Sequence, residues 1–154
     1  MDDNGNFTVV WESYAQDGSS WGVYGQRFSA AEVKLGGEFR INQYATDKQI
    51  DPKVAMDPNG DFVVTWASFG QDGSGYGVYA HRYSPAGVAL GAAEVCVNQP
   101  FTVNWQVTPD VGMDASGNYI IVWSAFGQDG VGDPPNQDYG IFARAFKPDG
   151  SDYP

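Results

Sequence analysis

Three segments share one pattern of hydrophobic positions: FTVVWE from Phe7, FVVTWA from Phe62 and YIIVWS from Tyr119. Each is apolar on both alternating faces and reaches a tryptophan, as expected of a strand buried between two layers. A second segment follows each time: WGVYGQRF, YGVYAHRY and YGIFARAF. Here Val78 and Ala80 alternate with Tyr79, His81 and Tyr83, which predicts a strand over Gly77 to Tyr83, and equally over Gly22 to Phe28 and Gly140 to Phe146. An apolar-then-proline segment precedes the second and third copies, from Pro52 to Met56 and Pro109 to Met113. The turn Pro58-Asn59-Gly60 has the chemistry of a tight hairpin. A fourth strand is expected at Glu38 to Asn42 and Glu94 to Asn98, after turns such as SPAG. No helical period occurs.

The pattern is therefore a repeat, returning roughly every 55 residues at Trp11, Trp66 and Trp123. The units run about 1–51, 52–108 and 109–154 within one domain of 154 residues. Four short antiparallel strands per unit, stacked face to face, predict an all-β, propeller-like chain of three blades. Another β-repeat or a sandwich is the alternative. The first unit lacks its first strand, A, and the last lacks its fourth, D. Closed propellers have about four to eight blades. Three blades call for a longer repeat array, a closed homo-oligomer such as a six-bladed dimer, or an open fan capped by a partner.

Charge narrows the partners. Nineteen acidic residues against eight basic ones give a net charge of -11, which excludes a phosphate-binding footprint for nucleic acid and disfavours anionic membranes. No apolar run is long enough for a membrane helix. MDDNGNF lacks the pattern of a secretory signal. One cysteine, Cys96, allows no disulfide within the chain.

The string from tryptophan through Gln-Asp-Gly to Gly-Val-Tyr, within NGDFVVTWASFGQDGSGYGVYAHRYSPAGVALGAAEVCVNQ, resembles the repeats of very large bacterial extracellular proteins. Those repeats often sit beside hemolysin-type calcium-binding repeats or adhesin modules. The resemblance implies a secreted or cell-surface location and a propeller-like repeat, and carries no defined activity. The third copy departs from the pattern, with extra residues before Tyr139 and Ala145 in place of Arg27 and Arg82.

Candidate chemistry centres on the Gln-Asp-Gly loops. Gln16, Gln71 and Gln128 precede Asp17, Asp72 and Asp129, and an aromatic follows in each copy: Trp21, Tyr76 and Tyr139. Aromatic faces stack on sugars while amides and carboxylates bond hydroxyls, so the set suggests weak, multivalent binding of glycan or protein. Asp17, Asp72 and Asp129 are the candidate calcium ligands, with calcium ordering the loops; the competing reading is a turn whose aspartate bonds its own backbone. His81 and Cys96 have no partners that repeat with them, which argues against nucleophilic catalysis, and zinc lacks ligands. The expectation is a non-enzymatic extracellular binding or adhesion repeat. A purely structural segment of a larger surface protein or filament is the alternative. A carboxylate-based glycosidase is a distant third, because 19 acidic residues always place some pair close and Asp57 and Asp61 read as turn residues first.

Overall fold

A computed structural model describes residues 1–128 and 138–154. Ten strands form three antiparallel sheets, with no helix among the described residues. The first sheet holds β1 (Phe7–Tyr14), β2 (Trp21–Phe28) and the two-residue β3 (Phe39–Arg40). The second runs in chain order through β4 (Gln49–Met56), β5 (Phe62–Phe69), β6 (Tyr76–Tyr83) and β7 (Ala89–Cys96). The third holds β8 (Gln106–Met113), β9 (Tyr119–Phe126) and β10 (Tyr139–Phe146). Each sheet is a meander, so the expected all-β, propeller-like stacking is what forms.

The doubly apolar strand explains itself once the sheets are stacked. Phe62, Val64 and Trp66 of β5 pack on Val23 and Ile41 of the first sheet. Val63, on the opposite face, packs with Tyr119, Ile121 and Trp123 of the third. Each fully buried Val or Phe contributes about 1.5–3 kcal/mol of apolar transfer. The outer sheet alternates instead: Tyr119, Ile121, Trp123 and Ala125 are buried, while Ile120 is exposed.

Register follows the sequence repeat. Trp11 faces Tyr24, Trp66 faces Tyr79 and Trp123 faces Phe142. The first strands run three residues further back than hydrophobicity indicates, because Gln49 and Gln106 are buried polar residues. A bulge interrupts β4 between Ile50 and Lys53, and β8 between Val107 and Asp110. Strand β7 starts at Ala89, well before Glu94, and shifts register against β6 between Ala80 and Arg82.

Candidate functional site

The Gln-Asp-Gly loops are fastened inward. One oxygen of Asp17 accepts the Ser19 N–H at 3.2 Å, and Asp72 does the same for Ser74. The other oxygen lies 3.3 Å from Asn42 Nδ2 or 3.4 Å from Asn98 Nδ2. It also fills the space a Cβ on Gly22 or Gly77 would need, 2.7 and 2.5 Å away, so β2 and β6 take glycine there. Gln16 donates to Glu38, and Gln71 donates to Glu94. The following aromatics pair within their own blades: Trp21 on Tyr14, Tyr76 on Phe69 and Tyr139 on Phe126, with centroids 5.1–5.3 Å apart. Gln128 is half-buried, and Asp129 lies outside the described residues.

The asparagines beneath these loops are hubs. Asn98 Oδ1 accepts the Val78 N–H at 2.8 Å, and its Nδ2 donates to Phe101 O at 2.7 Å and Gln106 Oε1 at 3.1 Å. Asn42 repeats this with Val23, Tyr44 and Gln49. The Gln-Asp-Gly loop is thus the outer part of a polar joint that ties one blade to the first strand of the next. Asp17 and Asp72 each bring one carboxylate, and no group of three or more His, Cys, Asp or Glu side chains converges among the described residues.

Other singled-out residues serve the framework. Asp2, Asp57 and Asp114 each accept two backbone N–H groups within their own turns, at 2.8–3.0 Å. Asp57 and Asp61 are therefore turn residues; burial and the Asp57 charge raise the Asp61 carboxyl. Arg27 donates to Pro85 O in the next blade, and Arg82 lies against Gly150 in the same relation. His81 is buried, which pushes its imidazole pKa down against the opposing Glu94 charge. Burial likewise raises the Cys96 thiol, which keeps it in the less reactive form.

A different set of side chains gathers where the first strands meet. Strand β4 approaches both β1 and β8. Asp51 and Thr108 occupy matching bulge positions before a proline, with φ of 54° and 50°. A non-glycine residue in this left-handed region costs on the order of 1–3 kcal/mol, and such strain concentrates at functional sites. The Asp51 N–H donates to Glu12 Oε1 at 2.7 Å, bridging β4 to β1. Both carboxylates are partly exposed. Burial first, then the charges of Asp47, Asp51 and Glu12, raise the Tyr76 phenol. Against Tyr76 stands Trp105, edge to face at 6.2 Å and 86°.

These residues escaped notice in the sequence because they interrupt the repeat. Glu12 stands where Ala67 and Ser124 stand, Asp51 where Thr108 stands, and Trp105 where Lys48 stands. A search for what recurs passes over them. The available signal was the opposite one, a chemically equipped side chain at a position the framework does not require.

The sequence matches no family model, and no curated protein resembles it significantly. Its fold does match solved structures. A protein described as a glycoside hydrolase is similar over 99% of this chain and 33% of its own, with a TM-score of 0.58 and 15% identity. The endo-arabinase of Bacteroides thetaiotaomicron aligns over 93% of this chain and 52% of its own, at 16% identity and a TM-score of 0.49. The chain thus spans about a third of the first protein and half of the second.

Two expectations are corrected here. The chain was expected to be a non-enzymatic binding and adhesion repeat, and the fold match over 99% of the chain is to a protein described as a glycoside hydrolase. The Gln-Asp-Gly loops of the first two copies recur together with the joint they complete.

Proposed function

We propose that this chain is part of a glycan-processing propeller that hydrolyses glycosidic bonds with carboxylates where β1 meets β4. The observation that carries this is the fold match along 99% of the chain to a glycoside hydrolase. Glu12 and Asp51 are the pair assigned to the reaction. One protonates the departing glycosidic oxygen; the other activates water or attacks the anomeric carbon. The Asp51 backbone N–H at the strained bulge holds the Glu12 carboxylate against β4, and fixed placement of a reacting group is what such chemistry uses.

The setting we assign is a tandem array in a larger extracellular protein. Support comes from the tryptophan-to-Gln-Asp-Gly repeat pattern and from Ile141, which is 75% exposed where Val23 and Val78 are fully buried against a neighbouring blade.

The test is hydrolysis of aryl glycosides and soluble polysaccharides by the parent chain and by the Glu12→Gln and Asp51→Asn variants. Each variant should lose at least about a hundredfold in rate, the scale of a positioned acid or base, with its melting temperature little changed. Parental rates in both variants would remove the assignment.

A further inference from the structure

A pocket of about 390 Å³ opens between the second blade's Gln-Asp-Gly loop and the third sheet, lined by Ser74, Gly75, Asn104, Trp105, Phe126 and Tyr139. Trp105 is 51% exposed and Tyr139 47%. With Phe126 they line one surface, and contiguous exposed apolar surface marks binding grooves; Trp105 is held as well as exposed. Its carbonyl accepts the Phe126 N–H at 2.8 Å. Asn104 before it has φ of 70°, donates its N–H to Ser74 Oγ at 3.1 Å and reaches Phe126 O through Nδ2 at 3.4 Å. The indole rests on Gly75 so closely that a Cβ there would stand 2.2 Å from Cδ1. Lys48 at the matching position of the first copy shows that the repeat does not need this tryptophan to fold.

We propose that Trp105 and Tyr139 form a sugar-stacking subsite for one unit of a neutral oligosaccharide whose chain continues past Tyr76 towards Glu12 and Asp51. This deepens, and rests on, the glycan-processing reading above. An immobilised ring loses little entropy when a ligand settles on it. The apolar C–H face of a pyranose or furanose fits such a surface, and the rim offers the Ser74 hydroxyl and the Asn104 amide to ring hydroxyls. No lysine or arginine is among the six lining residues, and the chain is strongly acidic, so an anionic sugar is disfavoured. A stacking subsite apart from the reacting acids selects for chain substrates over single sugars.

The experiment titrates the chain with neutral hexasaccharides of glucose, xylose, mannose and arabinose, reading binding by calorimetry, with aryl monoglycoside hydrolysis measured in parallel. Tetramethylammonium serves as a cationic competitor. At least one hexasaccharide should bind, at least tenfold more weakly to Trp105→Ala, with Trp105→Phe retaining most of the affinity and Phe101→Ala, another exposed aromatic, unchanged. Affinity within twofold of the parent in Trp105→Ala overturns the subsite, as does tetramethylammonium binding that excludes the sugar. Hydrolysis of aryl glycosides with no hexasaccharide binding overturns the subsite and leaves the catalytic reading standing. Binding that depends on Trp105 with no glycan cut supports the subsite and counts against Glu12 and Asp51. Neither binding nor hydrolysis overturns both.

Discussion

Asn98 shows how much of this fold rests on single polar residues. Replacing it with alanine strands the Val78 N–H, Gln106 Oε1 and the Phe101 carbonyl together. Each unsatisfied buried group costs about 1–3 kcal/mol, so Asn98→Ala should lose about 3 kcal/mol in urea unfolding. Asp72→Ala removes only long bonds at the loop and should lose about 1 kcal/mol. Equal losses would mean that the loop, not the hub, carries the joint. His81 gives a pH signature. Its folded pKa lies below the ordinary histidine value because of burial, with Glu94 opposing. Between the folded and unfolded values the unfolded chain binds the extra proton, so stability falls as pH drops below about 6.5. Gln26 occupies the same buried position in the first copy, so His81→Gln should fold and lose less stability than the parent between pH 7.5 and 5.5. Parallel losses would assign the acid sensitivity elsewhere.

Strands were the most legible elements, for a physical reason. A strand buried on both faces must be apolar throughout, and β5 is so because sheets cover it on either side. What hydrophobicity could not indicate was where β4 and β8 begin, since Gln49 and Gln106 are buried by hydrogen bonding and not by transfer. Nor did the proline in each of these strands signal a bulge with a strained residue before it. Burial of matching positions sets the next expectation. Val78→Ala, between two sheets, should cost about 2 kcal/mol. Ile141→Ala, at the same blade position on an uncovered face, should change stability by less than about 0.5 kcal/mol in the chain alone. Equal costs, measured by denaturant unfolding, would show that the face of the third sheet is already covered in solution.

For the whole molecule, repetition made the architecture readable and the chemistry hard to read. Residues that build the blade recur: the tryptophan and the Gln-Asp-Gly tripeptide appear three times, and Gly-Val-Tyr twice with Gly-Ile-Phe in the third copy. The residues assigned to the reaction occur once each, so Glu12, Asp51 and Trp105 stand out only once β4 is seen bonded to β1 through Asp51 and Glu12 and Trp105 is seen against Tyr76. The central claim is that the chain processes glycans through Glu12 and Asp51. It is tested most directly by reducing-end release from a panel of soluble plant and bacterial polysaccharides incubated with the purified chain. The account predicts new reducing ends from at least one neutral polysaccharide, abolished by Glu12→Gln. No release from any of them, together with no oligosaccharide binding at millimolar concentration, would contradict it.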